Sequence, residues 1–295
     1  MAALTASMLV VRVGDLVKDR RPPEAAALRA VLDKIINANR VLSKRSRRFL
    51  GLLISVLSHE RVVGMIKRDA RGFANVETWV FDLDNTLYPH HLNLWQQVDV
   101  RIRDYIVDFL KITHDEAFRL QKDYYKRYGT TMRGLMAEHG LQPDEFLEMV
   151  HQIDHSPLTP NPALGAAIAQ LSGRKLILTN GTREHADAVL RRLEIEHHFD
   201  DVFDIRAAEL EPKPQPVVYE RFLARHDVDP NKAAIFEDLA RNLEVPHALG
   251  MTTVLVVPQG ARVVLREDWE LAGRDAPHVD HVTDDLADFL RGITR

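Results

Sequence analysis

The sequence predicts an α/β protein: a doubly wound, Rossmann-like parallel sheet with an all-helical block inserted into it. Three observations carry that expectation. Four mostly apolar runs of strand length recur at wide spacing, Thr78-Trp79-Val80-Phe81, Lys175-Leu176-Ile177-Leu178, Ala233-Ala234-Ile235-Phe236 and Thr253-Val254-Leu255-Val256-Val257. This is the pattern of strands buried on both faces. Helical periodicity separates the later runs, as in Ala186, Val189, Leu190 and Leu193 at i, i+3, i+4 and i+7. Between the first two runs lies a stretch of about 65 residues with no strand-like segment, far longer than a simple connection.

Within that stretch, Val98, Ile102, Tyr105, Ile106 and Phe109 form one apolar stripe, and Glu145 to Val150 suggests another helix. Residues 92–156 are therefore expected to form a helical cap domain, and residues 76–91 with 157–295 the core domain. The turn-rich segment Ser156-Pro157-Leu158-Thr159-Pro160-Asn161-Pro162 is the expected hinge. Leu239 to Leu249 reads as a shorter helix whose start is blurred by Pro246. Trp79, inside the first run, reads as core.

Of the 295 residues, 45% are hydrophobic and 28% charged, an ordinary globular balance. There is no cysteine, which excludes disulfides, thiolate zinc sites, iron–sulfur clusters and a cysteine nucleophile. It also fits a reducing compartment, so a cytoplasmic location is expected. No run approaches the roughly 18 apolar residues of a membrane-spanning helix.

The net charge of −4 hides an asymmetry: residues 1–75 carry fifteen Lys and Arg against six Asp and Glu, and the remainder is acidic. Ala25 to Leu42 is amphipathic at helical spacing, followed by the basic cluster Lys44-Arg45-Ser46-Arg47-Arg48 and the apolar run Phe49 to Leu57. A signal peptide would carry these features nearer the N-terminus. A membrane-surface or partner-binding arm is one reading of this head. The favoured one is a dispensable or untranslated extension with the true start at Met65, which leaves 231 residues.

The chemistry-bearing residues follow the strand-like runs. Asp82 and Asp84 are two apart, so on an extended chain they point the same way. Converging carboxylates repel unless a cation lies between them. A hard divalent ion resolves that repulsion, and Mg²⁺ suits a site shared with phosphate oxygens. A solvated acidic loop is the competing reading. The second run ends in Thr179-Asn180-Gly181-Thr182, whose hydroxyl and helix-start N–H groups suit a phosphate. The third ends in Glu237-Asp238, followed by Asn242, and Lys213 supplies a cation between the two clusters. In an open parallel sheet all of these face one crevice at the strands' carboxyl ends. The histidine pairs His90-His91 and His197-His198 are not expected to bind metal, because adjacent side chains diverge; His90 and His91 are placed in the gap between cap and core.

In this order the motifs resemble those of the haloacid dehalogenase (HAD) superfamily of phosphatases, over roughly Glu77 to Leu290. The resemblance implies that Asp82 is the nucleophile forming an aspartyl-phosphate and Asp84 the general acid/base. It implies that Thr179 and the backbone of Asn180 hold the phosphoryl group and that Lys213 neutralises charge. Mg²⁺ would be held by Asp82, Asp238 and the backbone carbonyl of Asp84, with Glu237 a further ligand. Asn242 stands where many members carry aspartate. The dehalogenases of this superfamily lack an acid at the position of Asp84, which favours a phosphoryl substrate.

Within the superfamily, FDLDNTLYP, YYKRYGTTMRGL, LTNGTREHA and FEDLARNLEVPHALGMTTVLV are most similar to the pyrimidine 5′-nucleotidase group. Tyr128, Thr130 and Thr131 would then present an aromatic face and hydroxyls to a nucleobase and sugar. The expected partner is a small phosphomonoester rather than a nucleic-acid polymer. A sugar phosphomutase of the same superfamily and an idle binding protein recruited by the basic head are the alternatives. The downstream start predicts an intact mass for the native protein well below that of the full chain; a full-length mass would overturn it.

Overall fold

The computed structural model describes residues 71–259 and 272–294. The amphipathic segment, basic cluster and apolar run of the head, and Met65, lie outside the described residues. Six strands form one sheet: β1 (Thr78–Phe81), β2 (Arg174–Leu178), β3 (Asp201–Phe203), β4 (Ala233–Glu237), β5 (Thr252–Val256) and β6 (His281–Thr283). Their order is β3-β2-β1-β4-β5-β6, and every pairing is parallel. The chain winds outward from β1 through β2 to β3, then returns to place β4 on the other side of β1. The strand order thus reverses beside β1, where ligands of open α/β sheets bind.

All four strand-like runs are strands. The periodicity did not reveal β3 and β6. Each is only three residues long and carries an edge of the sheet, too short for a pattern to register.

Alternate side chains of the central strands divide the core into two layers. Trp79, Phe81, Ile177, Phe236 and Val254 pack beneath α5 (Pro162–Ala169), α6 (Arg183–Leu193) and α9 (Leu286–Ile293). Val80, Leu176, Leu178, Ile235 and Leu255 meet α7 (Pro216–His226) on the other face. Phe81 and Phe236 stack across the β1–β4 pairing with ring centroids 4.7 Å apart. The core begins earlier than the 76 read from the sequence. Arg71 Nη1 donates to the carbonyls of His247 (2.8 Å) and Met251 (2.6 Å), and Phe73 packs on Trp79 and Phe289. Pro246 falls in the first turn of α8 (Glu244–Leu249), where no intrahelical bond needs its missing N–H.

Between β1 and β2 stand α1 (Leu94–Leu110), α2 (His114–Tyr128), α3 (Thr131–His139) and α4 (Pro143–Val150). Thr113 and Glu116 form a capping box at the start of α2, and Pro143 opens α4. These helices have their own apolar cluster, including Val98, Ile106, Tyr124, Leu135, Phe146 and Val150, joined by Ile205. Phe109, at the end of the apolar stripe, is 39% exposed and leans on Tyr105.

The α2–α3 corner closes tightly around Gly134, where a Cβ would lie 2.4 Å from Tyr124 Cγ. The ring base cannot swing away as a flexible side-chain end would. Gly134→Ala gains about 1 kcal/mol of helix propensity but meets an overpacking cost of about 1–3 kcal/mol. Net destabilisation is expected in a thermal melt; a raised Tm would contradict the close approach.

Candidate active site

Asp82 follows β1 directly, and its N–H donates to the Phe236 carbonyl at 2.9 Å, which continues the ladder one residue past the strand. Register then sets Asp82 beside Glu237, the last residue of β4, and Asp238, which follows the strand. Lys213 reaches into this corner from the loop before α7 and is 1% exposed. Its Nζ donates to Asp82 Oδ1 (2.7 Å), Glu237 Oε1 (2.8 Å) and the Leu178 carbonyl (2.9 Å). An ammonium has three donors, so all are committed, and its service to a bound anion is electrostatic.

Burial alone would discharge Lys213, but Asp82 and Glu237 hold its pKa well above the ordinary lysine value. Burial would also raise Glu237, which Lys213 and the Leu239 N–H pull below the usual range instead. For Asp82, burial prevails over Lys213 and, with Glu237 adding repulsion, pushes the carboxyl up to about 7.

Glu237 is also held by Asn242, whose Nδ2 donates to Oε1 at 2.6 Å. This gives the residue a role. An aspartate there would set a second negative charge against Glu237, whereas the amide offers a donor. Asn180 clamps the Lys213 loop from its other side: its Oδ1 accepts from Lys213 N at 2.8 Å, and its Nδ2 donates to Lys213 O at 3.3 Å. The Thr179 hydroxyl oxygen accepts from Gly181 N at 2.9 Å. The turn between α2 and α3 also seats on the Lys213 loop. Gly129 has φ +85°, and a Cβ there would meet Lys213 O at 3.1 Å.

Asp82, Glu237 and Asp238 each offer a buried carboxylate oxygen, all within 4.8 Å of one another. Hard oxygens in an all-carboxylate set fit a divalent cation such as Mg²⁺. Both Glu237 oxygens already accept protein hydrogen bonds, and so do both Asp82 oxygens, Oδ1 from Lys213 and Oδ2 from Thr86. Asp84 contributes no side-chain oxygen to this cluster.

The Asp84 carboxylate belongs to a separate group that the sequence reading missed. Its Oδ1 accepts from the Tyr88 hydroxyl (2.5 Å) and lies 2.9 Å from His185 Nε2. His185 Nδ1 lies 3.2 Å from His155 Nε2, and the His151 ring is centred 5.0 Å from that of His185. Burial would raise Asp84, but the charge and hydrogen bond of His185, with the Tyr88 bond, hold it below the ordinary carboxylate range. Burial and then His185 push His151 down to about 4. His185 stood inside a quoted motif, yet only its place in the first turn of α6, facing inward, signals the contact.

One cavity of about 100 Å³ joins Asp82, Asp84, Thr179, Asn180, Lys213, Glu237 and Asp238 to residues of α1, α2 and α4. Thr130 and Thr131 line it, but Tyr128 does not. The Tyr128 hydroxyl donates to Glu138 on the outside of the helical block, and Tyr125 stands at the cavity wall instead. Gln121, Tyr125 and Tyr128 fall at i, i+4 and i+7 on one stripe of α2, but Tyr128 is the last residue of the helix, and its ring meets Tyr124 edge-on, away from the cavity. Thr130 caps α3 and Thr131 donates to the Gln121 carbonyl, so both hydroxyls also serve the local fold. His90 lies against Asp238, its Nε2 3.7 Å from Oδ2, and lines a second cavity, shared with Leu164, Val256 and Leu286, rather than the first.

A match to the haloacid dehalogenase-like hydrolase family covers residues 76–250; with more than half of its length matched, the chain belongs to that family. It is similar to Phosphate metabolism protein 8 of Saccharomyces cerevisiae, 26% identical over 236 residues that cover 74% of this chain and 70% of the yeast one. Among solved structures it is similar to the L-2-haloacid dehalogenase from Xanthobacter autotrophicus, at 19% identity, 73% and 97% coverage of the two chains, and a TM-score of 0.45. It is also similar to a HAD phosphatase from Thermococcus onnurineus, at 19%, 74% and 97%, with a TM-score of 0.47.

Removing the Lys213 charge leaves Asp82 and Glu237 buried without their common partner. Lys213→Met is expected to abolish turnover and to lower stability by about 3–5 kcal/mol, the cost of breaking a buried ion pair from one side. Denaturant unfolding measures the second effect, and unchanged stability would show that the lysine is not the keystone of the crevice.

Proposed function

We propose that this hydrolase is a Mg²⁺-dependent phosphomonoesterase working through an aspartyl-phosphate on Asp82, with pyrimidine nucleoside 5′-monophosphates as substrates. The observation that carries the reading is the pairing of two aspartates, two residues apart, in different surroundings. Asp82 lies in the Lys213–Glu237–Asp238 corner, and Asp84 lies in the same cavity but is bound to His185 and Tyr88. Two carboxyl groups held in contrasting environments are suited to two different roles.

In the first half-reaction an Asp82 oxygen attacks phosphorus and the bond to the leaving oxygen breaks. Asp84, which its surroundings hold ionised, must first take up a proton; it passes that proton to the leaving oxygen, and the alcohol departs. In the second, Asp84 takes a proton from water as the water attacks phosphorus, releasing inorganic phosphate and restoring the Asp82 carboxylate. The covalent intermediate divides one displacement into two. The bonds from His185 and Tyr88 to Oδ1 fix the orientation of the Asp84 carboxylate. Lys213 offsets the repulsion between Asp82 and the incoming phosphate, and Thr179 with the Asn180 backbone orients the phosphoryl oxygens. Asp82 and Asp238 would hold the Mg²⁺, with Glu237 beside them. When bound, the ion supplies positive charge to the oxygens of the transferring phosphoryl group. The helical block closes over this crevice as a cap that selects the leaving group. The pyrimidine assignment draws on the motif resemblance described above.

Phosphate release from a panel of nucleoside monophosphates is expected with Mg²⁺ and is expected to stop on chelation. Asp84→Asn should bind substrate with little change in affinity and lose about 10²–10⁴-fold in turnover. Near-full turnover by Asp84→Asn, or conversion of hexose 1-phosphates without phosphate release, would overturn the proposal.

A further inference from the structure

Gln121, on the inner face of α2, is 1% exposed and forms part of the cavity wall above the acidic corner. Its Nε2 donates to the Asp99 backbone carbonyl and to Asp99 Oδ1, both at 2.9 Å. Both partners are pure acceptors, so they determine which way the amide faces: nitrogen toward Asp99, oxygen away from it. Asp99 is held in turn by Lys122, whose Nζ lies 3.1 and 3.2 Å from its two carboxylate oxygens. The Gln121 oxygen is left buried with no hydrogen-bond partner. Buried carbonyl oxygens are rarely left in that state. The same cavity is lined by the apolar side chains of Val98, Ile102, Phe146 and Val150, with Trp95, Lys122 and Tyr125 beside them.

We infer that Gln121 is a specificity residue whose side-chain oxygen accepts a hydrogen bond from an N–H on the leaving group. This deepens the phosphomonoesterase reading and rests on it. The apolar part of this lining disfavours a polyhydroxylated sugar there, because hydroxyls set against it would be buried unpaired. A flat heteroaromatic ring with an N–H edge satisfies both the walls and the amide oxygen. Among pyrimidines, the 4-amino group of cytosine presents such an edge. The acceptor contributes through discrimination: a leaving group without the donor leaves the oxygen unpaired in the bound state as well.

The test uses the full chain with CMP, its pyrimidin-2-one analogue lacking the 4-amino group, and ribose 5-phosphate. The expected result for the wild type is a kcat/KM about 10- to 100-fold higher for CMP than for the analogue. Gln121→Met is expected to erase that gap by lowering kcat/KM on CMP, mainly through KM, with the rate on ribose 5-phosphate held within about threefold. The ribose 5-phosphate rate reports on the fold and the catalytic corner, and the wild-type comparison of CMP with its analogue needs no variant. Equal wild-type kcat/KM on CMP and the analogue, or an equal fall on all three substrates in Gln121→Met, would overturn the assignment while leaving the phosphomonoesterase standing. Failure of the wild type to release phosphate from any of them would sink the parent reading as well.

Discussion

A single buried ammonium organises the crevice. Lys213 touches a residue from each of the three central strand ends: Asp82 after β1, the Leu178 carbonyl at the end of β2, and Glu237 at the end of β4. Removing charges from water is costly, and it is offset only where geometry and hydrogen bonding are good. Here all three ammonium protons are matched. Even so, one cation faces three buried carboxylates, Asp82, Glu237 and Asp238. Burial raises Asp82 against the pull of Lys213, and the charge of Glu237 adds to the rise. The excess of negative charge is the physical reason that the corner is suited to a divalent ion and a phosphoryl group together: each compensates what the other would leave unbalanced.

The surrounding structure serves that corner in layers. Asn242 and Leu239 N hold Glu237, and Asn180 clamps the loop that carries Lys213. The sheet sets the strand ends in register, and the helices between β1 and β2 bring a second set of side chains over the opening. The ion-paired corner and the side chains that face it across the cavity are therefore carried by different elements.

Much of the architecture is visible in the chain because it depends on local pattern. The four long strands announce themselves as apolar runs, and α6 as a stripe at i, i+3, i+4 and i+7. Asp82, Asp84, Thr179, Lys213, Glu237 and Asp238 are legible because they sit at motif positions following those runs, and the structure brings all six to one cavity. The two edge strands were hidden by their brevity, and Phe109 ends the apolar stripe without being buried, since an apolar residue on a helix flank need not face inward. Tyr128 misled because a motif supplies the residue but not its partners, and at the end of α2 this ring meets Tyr124 and its hydroxyl Glu138.

By itself, then, the sequence determined the fold class, the positions of the four longer strands and the roster of acidic and basic groups, since each of these is written in spacing along the chain. Only the tertiary structure decided the partnerships. It gave Asp84 to His185, 101 positions away, turned Asn242 from a departure into a donor for Glu237, and put Tyr125 and Gln121 rather than Tyr128 at the cavity wall. Such contacts join residues from different elements, and their geometry follows from how helices and strands pack against one another. No periodicity within a single segment encodes that.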